Sequence, residues 1–241
     1  MPIDSLPIAV KSILSAQKKS GKPLAIVLAG HNGSGKSTMW YDHLAGMIRI
    51  PLINADRMMK SILPEDPMPA WASDIRDNEQ NWMKVSQNGV EAFVAHAMAQ
   101  NVPFAMETVF SHWKDLGNGK FESKFDLIKQ MQAAGYFVVL FFVGLSTYNL
   151  SEARVQSRFE SGGHNVDRVK LVDRFPRTQK AIKAAIPVAN ATILTDNSRD
   201  PKNAFTVCHV QMGVKEIFDV RNDNPNTPVS ILAWLDVVSP K

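Results

Sequence analysis

Residues 29–38 read Ala-Gly-His-Asn-Gly-Ser-Gly-Lys-Ser-Thr, AGHNGSGKST. The apolar run PLAIVL precedes them and the helically patterned MWYDHLAGM follows, so the stretch joins a buried strand to a helix. Gly30, Gly35, Lys36 and Ser37 match G-x-x-x-x-G-K-[ST] in full, and Gly33 adds a further glycine. Small residues let the backbone fold tightly enough for its N–H groups to face phosphate oxygens, and the helix N-terminus adds partial positive charge. Gly30 and the run Asn32, Gly33, Ser34, Gly35, Lys36, Ser37 and Thr38 are therefore the candidate nucleotide cradle. Lys36 is expected to reach the β- and γ-phosphates of ATP or GTP, and the Ser37 hydroxyl to ligate Mg2+.

Outward from this loop, short β-rich runs alternate with longer helical patterns, the signature of βαβ units. Strands are expected over 24–29, 51–54, 103–106, 137–143, 192–194 and 206–211, and helices over 36–47, 70–100, 122–134, 147–159 and 168–185. The fold class that follows is α/β, a P-loop parallel sheet of nucleotide-kinase type flanked by helices, with a helical lid carrying arginines. All 241 residues are read as one domain. Its sections are an amphipathic N-terminal helix at 1–22, an acceptor-binding insertion at 57–101, lid helices at 150–186 and a C-terminal appendage at 220–241.

Composition narrows the function class. Hydrophobic residues make up 45% and charged residues 21%, which excludes a wholly disordered or fibrous chain. A net charge of +4 from 27 basic and 23 acidic side chains suits anionic ligands without requiring nucleic acid. The single cysteine, Cys208, sits in the apolar run FTVCHV and reads as a packed small hydrophobe. The N-terminus lacks the pattern of a secretory signal, and the most apolar segment, YFVVLFFVGL, is too short to span a bilayer, so a soluble cytoplasmic protein without a membrane partner is expected.

A second site must lie at the other strand ends, because ligands of such sheets gather beyond the carboxyl edge. Asp56 follows the second strand in PLINAD and Glu107 ends the third in PFAMET. A carboxylate there can take the proton of an attacking hydroxyl or hold Mg2+ through water; either residue alone would equally fit a helix cap or a solvated loop acid. Arg154 and Arg158 share one helix face, Gly162-Gly163 ends that helix, and Arg168, Arg174 and Arg177 lie on the next. Guanidinium groups on a lid suit the charge of a transferring phosphoryl group, and His164 beside the glycines either touches phosphate or fixes the turn.

GHNGSGKST, INADRM, AMETVFS, AGYFVVLFFVGLS, RVQSRFESGGHNV, DRF and TDNS occur in the order and approximate spacing of the zeta-toxin family of P-loop kinases, which the chain resembles over residues 24–198. The resemblance implies an ATP- or GTP-dependent kinase whose best-known members phosphorylate a sugar hydroxyl of UDP-N-acetylglucosamine, and an antitoxin protein as partner. It implies Asp56 as the base, Glu107, Thr108 and Arg57 on the acceptor side, and Arg158 and Arg174 as charge-stabilising arginines, with Asp196-Asn197 near the nucleotide base or the sheet edge. Where the family pattern has proline, a double arginine and tyrosine, this chain has Asp167, Asp173-Arg174 and Phe175, so Arg168 or Arg177 could take over a lid role. Two other classes compete: a regulatory ATPase without acceptor transfer, and a nucleic-acid end kinase, for which the basic, aromatic WKDLGNGKFESKFD is the only hint.

Overall fold

A computed structural model describes residues 5–65, 67–160, 167–224 and 226–241. The chain runs α1 (Leu6–Ser20), β1 (Leu24–Gly30), α2 (Lys36–Thr38), a π-helical turn (Met39–Leu44), α3 (Ala45–Ile48), β2 (Leu52–Ile53), α4 (Ala55–Ser61), α5 (Ala70–Asn78) and α6 (Gln80–Ala99). It continues through β3 (Phe104–Thr108), β4 (Trp113–Gly117), β5 (Lys120–Ser123), α7 (Phe125–Ala133), β6 (Phe137–Gly144), α8 (Tyr148–Glu160) and α9 (Arg168–Ala185). β7 (Ala191–Asp196), β8 (Thr206–Met212), β9 (Lys215–Asp219), α10 (Val220–Asp223) and α11 (Val229–Val238) complete it.

One seven-stranded sheet has the order β2-β3-β1-β6-β7-β8-β9. β2, β3, β1, β6 and β7 are parallel, and β1 and β6 are buried along their whole length, as unbroken apolar runs covered on both faces should be. The sheet is not wholly parallel as expected: β8 returns antiparallel on β7, and β9, absent from the sequence expectation, pairs antiparallel with β8. A short turn at Gly213, whose φ is +56°, joins β8 to β9 without a crossover helix.

Three further expectations are corrected. The helix over 70–100 breaks at Glu79, extended at φ −83° and ψ 93°, which separates α5 from α6; Asn78 donates from its side chain to the Asp74 carboxylate at 2.6 Å in the last turn of α5. Glu122 lies in a strand, not in a helix, because Gly117-Asn118-Gly119, all at positive φ, close a β4–β5 hairpin. The helix over 36–47 contains the π-helical turn. The helix expected over 168–185 is found with those limits, started by Asp167, whose side chain accepts from Lys170 N at 3.1 Å.

The buried cluster draws on every layer, from Leu6, Ala9, Val10 and Ile13 of α1 to Ile231, Trp234, Leu235 and Val238 of α11. The C-terminal stretch expected as an appendage thus contributes core. Gly144 explains how closely it docks: a Cβ there would lie 2.0 Å from the Trp234 ring. Arg221 then bonds both Asp219 at the end of β9 and Asp236 of α11, tying helix to sheet. Cys208 is buried and its thiol is pushed up by burial, as a packed, unreactive side chain would be. No helix among the described residues is long and apolar enough to cross a membrane.

Candidate active site

β1 ends at the phosphate loop, whose tightness has specific causes. A Cβ on Gly30 would come within 2.6 Å of Ser34 Oγ and of the Val143 carbonyl, and Gly35 at φ +88° would press one against Asn197 Nδ2. Asn197, just past β7, donates from Nδ2 to the Ser34 carbonyl at 2.8 Å, and Ser151 of α8 donates from Oγ to the Asn32 carbonyl at 2.7 Å. Neighbouring elements thereby brace the loop through its carbonyls, and inside it the Ser34 N–H donates to the His31 carbonyl at 3.1 Å.

Lys36 folds back over the loop, donating from Nζ to the carbonyls of Gly30 at 3.1 Å and His31 at 3.0 Å. Burial lowers its pKa, while the charges of Glu107 and Asp56 oppose that fall and Arg158 adds to it. Its nearest carboxylate oxygen is Glu107 Oε1, at 3.9 Å. Glu107 stands there because β3 lies directly beside β1, with Glu107 in register with Leu28. The Glu107 carboxylate also accepts from Ser37 Oγ at 3.0 Å and from Asn54 Nδ2 at 2.6 Å.

Asn54 was not singled out in the sequence. It is buried at the end of β2, caps α4 by accepting from Arg57 N at 3.1 Å, and orients Glu107 with its amide. Residue type and position, an Asn between an apolar strand and Ala-Asp-Arg, carry the cap signal; the Glu107 contact exists only across the sheet. Asp56 follows in the first turn of α4 and lines the cleft, with Arg57 stacked over the Tyr41 ring at 4.6 Å. Thr108 lines the cleft too, its Oγ1 accepting from Phe110 N at 3.1 Å.

The arginines divide. Arg158 of α8 and Arg174 and Arg177 of α9 line the cleft with the loop and Asp56, and Arg177 also pairs with Asp173. Arg154 packs against Gly33 instead, its guanidinium partly desolvated, which lowers its pKa against the pull of Asp196. Arg168 pairs with Glu152 at 2.5 Å and with the Tyr148 hydroxyl on an exposed face, away from the cleft. Gly162, Gly163 and His164 lie outside the described residues.

The cleft has a volume of about 1920 Å3 and continues past Asp56 to a wall of α6 that includes Lys84, Gln87 and Glu91. Basic side chains outnumber acidic ones along it. A phosphate cradle, carboxylates at two strand ends and the three guanidinium groups of α8 and α9 share this one space, the equipment for handling a polyphosphate beside a second ligand.

The family model for zeta toxin matches residues 10–200. The chain belongs to the zeta toxin family. An uncharacterised protein of Haemophilus influenzae Rd is 30% identical over 144 residues, covering 58% of this chain and 84% of that protein. Among solved structures, this zeta toxin family member is similar to a chain from the PezAT chromosomal toxin–antitoxin system of Streptococcus pneumoniae, with TM-score 0.55, 12% identity and coverage of 98% and 89%. It is also similar to chains of the AvrRxo1-ORF1:ORF2 complex: native, with TM-score 0.61, 12% identity and coverage of 98% and 72%, and with ATP, with TM-score 0.60, 13% identity and coverage of 97% and 70%. At these identities the structural likeness establishes the fold alone.

Proposed function

We propose that this zeta toxin family protein is a kinase that transfers the γ-phosphoryl group of ATP or GTP to a hydroxyl of a small anionic acceptor, a UDP-sugar such as UDP-N-acetylglucosamine being the first to test. The observation that carries this reading is the convergence of the Lys36–Ser37 cradle, Asp56 and Arg158, Arg174 and Arg177 on one cleft of about 1920 Å3. Lys36 is poised to exchange its loop carbonyls for phosphate oxygens. Ser37 Oγ and the Glu107 carboxylate, already in contact, form a hard oxygen donor set that suits Mg2+. Mg2+ bound there would neutralise charge on the β- and γ-phosphate oxygens. Asp56 takes the proton of the attacking hydroxyl, Arg57 and Thr108 hold the acceptor, and the three arginines stabilise charge on the transferring group.

The ATP found with one structural relative supports a nucleotide donor, and the PezAT toxin–antitoxin system to which another relative belongs supports an antitoxin partner. A second reading, acceptor-independent hydrolysis, gains from Glu107 beside Ser37, where an acidic group can also order water. Asp56→Asn separates the two. It should abolish transfer to any acceptor while basal ATP hydrolysis falls less than about tenfold. Equal loss of both activities, or transfer that survives, would count against Asp56 as the acceptor base.

A further inference from the structure

We propose that His31 is a positioning residue, the seat on which Phe175 of α9 stacks so that Arg174 is held at the phosphate loop. The proposal rests on the kinase reading above for the role of Arg174, and on geometry for the rest. His31 is the second residue of the loop after Gly30 and is 2% exposed. Its ring lies 3.9 Å from the Phe175 ring, tilted by 14°, while the edge of Phe142 in β6 meets it at 5.5 Å and 72°. The seat is therefore fixed from the sheet side and stacked from the α9 side.

The same residue reaches the catalytic lysine: its carbonyl accepts from Lys36 Nζ at 3.0 Å. One residue thus touches the phosphate lysine through its backbone and the arginine helix through its ring. Burial, reinforced by the Lys36 charge, holds the imidazole neutral with its pKa pushed down to about 3. Neither ring nitrogen has a hydrogen-bond partner among the described residues. The ring's contribution is its flat face, and a second cation beside Lys36 is avoided.

α9 needs such a seat. Pro176, immediately after Phe175, lies inside the helix and has no N–H, so the segment from Arg168 to Phe175 lacks one bond to the rest of α9. Beyond that break, Thr178 Oγ1 donates to the Val109 carbonyl at 3.2 Å and anchors the C-terminal part. On the N-terminal side, Phe175 meets His31 and, edge to face at 6.4 Å, Tyr148 of α8. Arg174 precedes Phe175 and lines the cleft, so its placement depends on where Phe175 rests.

The test uses full-length protein carrying His31→Phe, His31→Ala, Phe175→Ala and Arg174→Ala, singly and with His31→Ala combined with Arg174→Ala. Affinity for Mg-ADP and for Mg-ADP with fluoroaluminate, a mimic of the transferring phosphoryl group, is measured beside kcat and KM. Misplacement of a charge-stabilising group should cost His31→Ala and Phe175→Ala roughly ten- to a hundredfold in kcat and a similar share of the fluoroaluminate enhancement, with Mg-ADP affinity and KM for ATP changed less than about threefold. His31→Phe, which keeps a flat ring, should restore both, and His31→Ala should add nothing once Arg174 is alanine. Independent, multiplying losses in the double variant, or His31→Phe falling as far as His31→Ala, would overturn the proposal. Wild-type protein that transfers no phosphoryl group defeats the kinase reading alone, because the fluoroaluminate comparison still reports whether His31 acts through Arg174. Should either alanine variant fail to fold, the other and His31→Phe give the same comparison.

Discussion

His31 shows how one side chain couples stability to pH. An exposed histidine in the unfolded chain binds its proton near pH 6.5, whereas the folded ring does so only near pH 3. Between those values the unfolded state carries more protons, so the folded state loses stability as pH falls from 6.5 toward 3, by up to about 1.4 kcal/mol per pH unit. Above pH 6.5 the ring is neutral in both states and contributes no slope. Urea titrations at a series of pH values should show that His31→Phe weakens the acid loss of stability relative to wild type. An unchanged acid limb would mean that His31 is protonated in the fold.

At the level of elements, the β2–α4 junction joins two tasks in Asn54: its carbonyl oxygen caps α4 and its amide group holds Glu107. Asn54→Ala should destabilise the protein by about 1–2 kcal/mol, read as a lower denaturant midpoint, and weaken Mg2+-dependent nucleotide binding. A variant with unchanged midpoint and Mg2+ dependence would show the junction to be incidental. The loop itself was legible because its chemistry is local: glycine, lysine and serine at fixed spacing between an apolar run and a helix. Glu107 at the end of β3 was legible as a carboxylate at a strand end, but its contact with Ser37 depends on β3 lying directly beside β1, which no local pattern states. The β4–β5 hairpin carried a local signal, Asn118-Gly119, that the lysine-rich, helix-compatible residues around it masked. Among the arginines, spacing put Arg154 and Arg158 on one face, yet packing against Gly33 removes Arg154 from the cleft that Arg158 lines.

Across the whole molecule, the loop depends on elements far from it in sequence. β6 ends at Gly144, whose carbonyl accepts from Asn197 N at 3.1 Å, and Asn197 in turn braces Ser34. Trp234 of α11 presses on Gly144 and stacks near Phe142, which itself supports His31. Trp234→Ala should therefore cost about 3–5 kcal/mol through the cavity it leaves, seen in the thermal midpoint. A small change would mean that α11 relaxes into the space. The antiparallel pair β8–β9 and this terminal helix were the least legible parts of the fold, since short apolar runs do not state their direction and the close docking of α11 depends on one missing Cβ at Gly144.

Phosphoryl transfer to a small acceptor is read out by incubating purified protein with Mg2+ and γ-labelled ATP or GTP against a panel of UDP-sugars, nucleosides and dinucleotides, with products resolved by mass. Wild type should yield an acceptor heavier by one phosphoryl group, and Asp56→Asn should not. Tight nucleotide binding with release of inorganic phosphate alone, and no phosphorylated acceptor anywhere in the panel, would contradict it.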